Sequence, residues 1–521
     1  MLTTREIAQR TTHALLPLAL FAATLLAWGL VAIVLPLHGL FFSSAFQATD
    51  TIRPSIAESW GATALLLVAL LLLCCCYSFA LRSLPTKIGL RYIVMTAGVF
   101  GGICVCVSVV TSPDLFSYIF YARMATLYHL NPLVTTPLAV ANDPLYSYLY
   151  WKDQPSAYGP TWVVFSGLLQ SCSDLLFGTK NLFATVLSFR LFGLVAHLWS
   201  CALVWSICRT LQPTHKSAKS PVLATLAFAW NPLLLFEACI NAHNDTILLL
   251  FVLLSLWVFV RQKTQYAYLW TTLLLALATC LKLNVAVLVP GLLFFLWQQP
   301  NHKQKVSFAL LFYCVVLLLC YVPFWANGAM LRFLSVNPGT YRNINSLPDF
   351  LGQLTTSIGQ LRGSPALQAE RITHIASTVL FVLAYSFLCW QALFTERRLR
   401  TFPQLIRWLT TAWLLYCLLG APWFWPWYAT TFFGLFALSI PNRDEQKVAW
   451  NSIDTAVYVF AFCLLSSYCF FTWGVYNSFV PLLTGFRWAY LRGIWIWLPV
   501  LLLLLKVFLT SHRAEKAYIN S

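Results

Sequence analysis

The chain has 521 residues, 60% of them hydrophobic and 9% charged, with a formal net charge of +17. A soluble domain carries roughly 25% charged residues and could not hide this much apolar surface, so a water-soluble fold is excluded. The positive charge would point to nucleic acid in a soluble protein, but here Lys and Arg stand in short loops between apolar runs, where they set membrane topology.

The opening residues, MLTTREIAQRTTHALLPLALF, have the basic start and apolar run of a signal peptide. The apolar stretch continues to about Leu35 with no small-residue cleavage site, so it is read as a first span over 14–36. Further spans, each near the length needed to cross roughly 30 Å of hydrocarbon, are expected at 61–81, 91–111, 181–207, 221–240, 246–261, 266–282, 285–298, 306–325, 371–394, 404–421, 427–441, 452–476 and 493–510. The predicted fold is therefore an all-α, polytopic transmembrane bundle of about 14 spans. With the N-terminus in the cytoplasm, the clusters Arg82/Lys87/Arg91, Arg209/Lys216/Lys219, Arg261/Lys263, Lys303/Lys305, Arg397/Arg398/Arg400 and Arg443/Lys447 all fall inside, and so does the C-terminus. The acids Asp50, Glu58, Asp114, Asp143, Asp153, Asp174, Asp245, Asp349 and Glu370 fall outside or at outer helix ends. Residues 160–178 are apolar enough to cross, but counting them would put the basic loop at 209–219 outside. They are expected to form an interfacial or dipping helix. Two long outer loops remain, Ser112 to about Lys180 and Ala326 to Glu370, and loops of that length are usually functional. The sixteen cysteines, with Cys74, Cys75 and Cys76 in a row, read as small buried hydrophobes, with no disulfide framework and no zinc site.

The chain has no internal repeat, and its ionisable residues avoid mid-span apart from Lys506 and the near-terminal Glu237. That favours a site at the membrane surface over a transport path through it. The first outer loop is the most informative. Ser112 can cap a helix with Pro113 at its first position, placing Asp114 in the first turn and Ser117, Tyr118 and Tyr121 on one side. Asp114 either complements the helix dipole or meets a polar substrate at the membrane rim, with Arg123 and the Asn131–Pro132 turn following. Tyr158–Gly159–Pro160 returns the chain towards the bilayer. Asn244 or Asp245 either caps the helix starting near Thr246 or, with His243, contacts substrate. Lys282 ends a span at the outer face, where it either snorkels or meets an anion. Trp423 to Tyr428 form either an aromatic belt or a surface that stacks on a sugar or holds a lipid chain. His243 and Asp245 alone are a poor case for a metal, and no cofactor or obligatory metal is expected.

DLFSYIFYARM at 114–124, HLNPL at 129–133 and YGPTW at 158–162 resemble the first extracytoplasmic loop of bacterial polyprenol-phosphate-mannose-dependent mannosyltransferases, members of the C-type glycosyltransferase superfamily (GT-C). WNPLLLFEACINAHND at 230–245, CLKLNVAVLVP at 280–290 and PWFWPWYAT at 422–430 follow in the same order, so the resemblance covers roughly 91–440. It implies a GT-C-like catalytic module at 91–325 carrying the first loop, 112–180. N-terminal helices at 1–90 precede it, and C-terminal helices at 326–521 with the outer loop 326–370 follow it. It further implies a cell-membrane enzyme that transfers a hexose, mannose by preference, with inversion, from a polyprenyl-phosphate donor to a glycan or glycolipid hydroxyl on the extracytoplasmic side. Asp114 takes the position of the family's catalytic acid. Tyr118, Arg123, Asn131, Tyr158, His243, Asn244, Asp245, Lys282, Trp427 and Tyr428 are then candidates for donor or acceptor contact, with Lys282 first for the phosphate and Arg123, Arg332 and Arg342 behind it. Where relatives often carry His before Pro-Trp-Tyr, this chain has Trp425. The rival functions are a transporter or flippase for polyprenyl-linked glycans, and another GT-C reaction such as glycan ligation or aminosugar transfer. Residues 451–521 carry no motif and are expected to pack as a structural appendage.

Overall fold

A computed structural model describes residues 4–37, 56–85, 87–211, 219–262, 264–332, 343–361, 366–395, 398–440, 452–469 and 492–506. Among these residues the regular structure is helical, and the extended pairing consists of two isolated bridges, Ile344 and Asn345 to Trp423. Arg342, Lys216, Lys263, Arg397, Arg443 and Lys447 lie outside the described residues, as does the side chain of Arg332.

The N-terminal pair is α1 (Thr4–Leu37) packed on α2 (Ile56–Ser83), each apolar all round over a stretch long enough to cross a bilayer, Leu15–Pro36 and Gly61–Ser83. Helix α3 (Leu90–Val105) ends six residues short of the expected span. The reason is Arg190. Buried in α6 (Leu182–Leu211), its guanidinium donates to the carbonyls of Val105, Val107, Val109 and Ile240, so the unwound stretch after α3 is satisfied by a side chain instead of by its own next turn. Arg190 and the buried His197 both sit inside this span, so ionisable side chains do enter the bundle, contrary to expectation.

Helix α4 (Asp114–Thr126) begins one residue later than expected. Pro113 occupies the cap position, and the Ser112 hydroxyl accepts the Asp114 N–H at 3.3 Å. The expected dipping segment is α5 (Pro160–Phe177), capped by Gly159. The single span expected at 221–240 is α7 (Lys219–Ala229) and α8 (Pro232–Cys239), bent by 48°. The Asn231–Pro232 pair makes the bend: Pro232 removes a donor, and the Asn231 carboxamide accepts the N–H groups of Leu233 and Leu234. Then come α9 (Asp245–Arg261), α10 (Ala267–Leu281), α11 (Val289–Trp297) and α12 (His302–Tyr321). The second long loop contains α13 (Leu347–Leu361), which the hydropathy pattern did not reveal. The chain continues through α14 (Ala366–Phe394), α15 (Phe402–Leu415), α16 (Thr430–Ser439), α17 (Ser452–Ser466) and α18 (residues 492–506).

Five of these helices are long and apolar enough to cross a bilayer, or six if the bent α7–α8 pair is one span. The crossing segment of α6 is 50% buried and that of α14 only 6%, so α6 runs through the middle of the bundle and α14 along its apolar periphery. Cys75, Cys106, Cys172 and Cys314 are exposed on such apolar surfaces and are not the buried residues expected. The C-terminal helices are no appendage. Phe460, Leu464, Leu465, Tyr468 and Trp497 are all buried, and Trp497 packs on Phe424 with ring centroids 5.0 Å apart.

Candidate active site

Three breaks lead to one place: the stretch that follows α3 and reaches it at Thr111, the end of α10 after Leu281, and α15 where it turns into a π turn at Tyr416–Gly420. Around these ends lies a cavity of about 470 Å³. It is lined by residues drawn from Thr111–Ser117, from 150–158 of the same loop and from the 416–428 segment, together with Lys282–Asn284 after α10 and Ile344.

Asp114 is on the wall, buried, and its carboxylate accepts the Tyr158 hydroxyl at 3.0 Å. Burial raises the Asp114 carboxyl from 3.8 to about 6, opposed by the Tyr158 hydrogen bond and by the positive charge of Lys282. Tyr158 is itself held by its neighbour. Gly159 donates its N–H to the Leu281 carbonyl at 3.0 Å, and a Cβ there would run into the Cys280 carbonyl. Glycine at this position therefore answers a close approach of backbone to backbone, and it clamps the first loop to the end of α10.

Lys282 follows as the first residue after α10, in extended backbone (φ −152°, ψ 119°). Its Nζ contacts both carboxylate oxygens of Asp245, at 3.0 and 2.9 Å, and stands 4.1 Å from the centroid of the Tyr428 ring. Beneath the wall, Tyr118 shares its hydroxyl between His243 Nδ1 at 3.1 Å and the Asn244 carboxamide oxygen at 3.3 Å. The His243 ring stacks on Trp427 at 3.9 Å, and its Nε2 is 3.6 Å from a Glu237 oxygen.

Of the residues singled out in the sequence, Asp114, Tyr158, Lys282, Trp427 and Tyr428 line the cavity together. Tyr118, His243, Asn244 and Asp245 form the layer behind them. Neither Asn244 nor Asp245 caps α9 with its side chain: one meets Tyr118 and the other Lys282. Arg123 and Asn131 lie away from the cavity. Arg123 is buried in an ion pair with Asp143 at 2.7 Å and donates to the Thr179 carbonyl, tying the first loop to itself. Asn131 accepts the Leu133 N–H and donates to the Phe324 carbonyl, fastening its turn to the end of α12. Both hold the loop in shape, and neither reaches the cavity.

The sequence pattern missed a second set of residues. Tyr468 donates to Glu237 at 2.7 Å, the Asn241 amide donates to the other Glu237 oxygen at 2.9 Å, and the Asn241 carbonyl accepts both the N–H and the hydroxyl of Thr111 at 2.9 Å. A buried polar network thus links the C-terminal helices to Thr111, three residues before Asp114. Ser117, buried on the cavity wall, has a hydroxyl with no partner among the described residues. Among the described residues no three His, Cys, Asp or Glu side chains converge.

Among solved structures, the chain is similar to the archaeal oligosaccharyltransferase AglB from Archaeoglobus fulgidus, determined in complex with an inhibitory peptide and a dolichol-phosphate. Identity is 12% and the TM-score 0.34, over 81% of this chain and 56% of that one, so the chain matches little more than half of that protein's length. No curated protein sequence matches it. Residues 20–298 match the family model described as alpha-(1->6)-mannopyranosyltransferase, N-terminal domain, which takes in α2 through α11, the cavity wall at Asp114 and Lys282, and more than half of the sequence. The chain belongs to the alpha-(1->6)-mannopyranosyltransferase family.

Proposed function

We propose that the protein transfers mannose, with inversion, from a polyprenyl-phosphate donor to a hydroxyl of a glycan or glycolipid acceptor in the cavity around Asp114. Asp114 is the general base. It takes the proton from the acceptor hydroxyl as that oxygen bonds to the anomeric carbon, and the bond from that carbon to the phosphate oxygen breaks, with its electron pair leaving on the lipid phosphate. A stable phosphate anion needs no general acid to leave. It needs positive charge and donors fixed in place beforehand. Lys282 supplies these: Asp245 and Tyr428 fix its ammonium at the wall, with one N–H left for a phosphate oxygen after two bonds to Asp245.

The observation that carries this reading is the single cavity that holds a buried carboxylate with a raised pKa and a cation on fixed partners. The catalytic module is 91–325, flanked by helices 1–90 and 326–521, the last of which closes the cavity with Ile344 and 416–428. In this reading the chain crosses about 14 times, with both termini in the cytoplasm and the cavity on the extracytoplasmic face of the cell membrane, and the distribution of Lys and Arg supports it. The transporter reading gains nothing from a chain in a transferase family. The test is incubation of purified protein with a panel of radiolabelled polyprenyl-phosphate sugars and candidate acceptors. Labelled product from a lipid donor is expected, and transfer from nucleotide sugars alone would overturn the proposal.

A further inference from the structure

The segment Pro422–Trp427 alternates. Trp423 and Trp425 line the cavity while Phe424 between them is fully buried in the core, as extended backbone with a period of two requires, and Trp427, in the 3-10 turn Pro426–Ala429 that follows, lines it too. Its backbone is pinned in that form: Ile344 donates its N–H to the Pro422 carbonyl at 2.8 Å, and Phe424 donates to Ile344 at 3.0 Å. From the floor outwards the rings form a continuous run. Trp427 lies on His243, Trp425 stacks on Trp427 at 4.9 Å and 7°, Trp423 follows at 6.1 Å, Trp151 of the first loop at 6.0 Å, and Tyr150 at 4.8 Å. All five aromatic residues line the cavity. Tyr150 is 61% exposed, and Lys152 and Asp153 come next in the loop, so the run leads out to water.

An aromatic belt places its rings at the rim of the bilayer, each with an apolar body and a wet edge. Here the rings come from two distant segments and descend into a cavity, towards Lys282 and the Asp114 wall. A rigid ring offers a large flat apolar face at little cost in conformational entropy, which suits the C–H face of a pyranose. An isoprenoid chain would leave the site among the apolar helices, whereas this run ends beside charged, solvated residues. The ammonium of Lys282 at its inner end disfavours a cationic ligand.

Resting on the transferase reading above, we propose that Trp425, Trp423 and Trp151 are successive acceptor subsites for a linear neutral glycan, and that Trp423 and Trp151 determine the preference for acceptor length. The reacting hydroxyl lies at the Asp114 end, and the older sugars of the chain lie outwards over Trp423 and Trp151.

The experiment measures both binding and transfer, using octyl α-mannoside and octyl glycosides of α-(1→6)-linked manno-oligosaccharides of two, three and four residues. Binding is read without donor by titration calorimetry. The dissociation constant is expected to fall with acceptor length, and the Trp423→Ala and Trp151→Ala variants should each weaken tetrasaccharide binding about tenfold, as loss of a buried aromatic anchor does. The single-sugar acceptor should change much less. Trp423→Phe, which keeps a ring, should retain part of the length preference. In the transfer assay the same variants should raise the acceptor KM with no change in the donor KM. Length-independent binding by the wild type, or a length preference that survives both alanine variants, overturns the inference and leaves the transferase proposal standing. A donor KM that becomes sensitive to prenyl-chain length in Trp423→Ala overturns it too, because the run would then hold the lipid. Length-dependent binding that needs Trp423, in a protein that transfers nothing, supports the subsites and removes the transferase proposal instead.

Discussion

Exchanging Asp114 for Asn should sharply reduce transfer and stabilise the protein at the same time. The carboxyl is raised from 3.8 to about 6 chiefly because burial penalises its charged form. That rise corresponds to about 3 kcal/mol of unfavourable interaction carried by the ionised side chain at neutral pH. The sign follows from linkage. With the folded pKa above the unfolded one, the neutral carboxyl's contribution to stability is fully present below pH 3.8 and is lost as pH rises through about 6. Asparagine, never charged, escapes the loss and can still accept the Tyr158 hydroxyl. Thermal unfolding in detergent should therefore give nearly equal midpoints for wild type and Asp114→Asn near about pH 4, with the variant higher by a few degrees near about pH 8. Activity behaves in the opposite sense. A base must be ionised, so the wild-type kcat/KM should rise with pH to half its plateau near pH 6, and the variant should lose about 10²- to 10⁴-fold. Tyr158→Phe removes a hydrogen bond that favours the carboxylate and should move the limb to higher pH. Undiminished turnover in Asp114→Asn would refute the assignment of the base. Equal stability of the two proteins at about pH 8 would refute the desolvated carboxylate on which the argument rests.

Three further outcomes follow from the surrounding contacts. Lys282→Met leaves Asp245 charged and buried, and should cost about 3–5 kcal/mol of stability, seen as a lower melting midpoint. Adding Asp245→Asn should restore the midpoint without restoring transfer, and restored transfer would remove Lys282 from the mechanism. Gly159→Ala drives a methyl into the Cys280 carbonyl and should lower stability by about 1–3 kcal/mol while reducing transfer, because Tyr158 and Lys282 sit on either side of that contact. Arg190→Lys should fail to fold in spite of its conserved charge, measured as loss of a monodisperse peak in size-exclusion chromatography. One ammonium cannot serve the carbonyls of Val105, Val107, Val109 and Ile240 together.

The membrane class was legible because it depends on composition, and the helix starts because they depend on local chemistry. Ser112–Pro113 marks a helix start that the chain makes within one residue, whereas the break at Asn231–Pro232 was hidden inside an apolar run that reads as one span over 221–240. The helix ends were less legible, since α3 stops where a side chain from α6 supplies donors, and no window around Val105 contains Arg190. The same limit explains the site. Asp114, Tyr158, Lys282 and Tyr428 each stand beside a proline, a glycine or the end of an apolar run, and they share one cavity. Arg123 and Asn131 have the same local appearance, but Asp143 and the Phe324 carbonyl engage them elsewhere in the fold. Tyr468 carried no signal of its own, because its role comes from a contact with Glu237 across 231 residues of sequence.

The position of the cavity follows from a constraint that applies to any chain in hydrocarbon: backbone groups outside a helix need partners from within the protein. Three helices end around it, and the interior supplies what each end has lost. Arg190 takes the carbonyls after α3, Gly159 donates to the last carbonyl of α10, and Ile344 pairs with the chain beyond α15. Those substitutes are rigid, and the residues next to them inherit that rigidity: Thr111 and Asp114 after the first break, Tyr158 and Lys282 at the second, the alternating tryptophans at the third. A polar reaction beside a bilayer needs groups fixed before the substrate arrives, since water is not there to reorganise around developing charge. The same bonds that make irregular backbone tolerable at these three ends thus hold the side chains in register with one another. A substitution that loosens any one of them is expected to reduce transfer even where it touches no substrate.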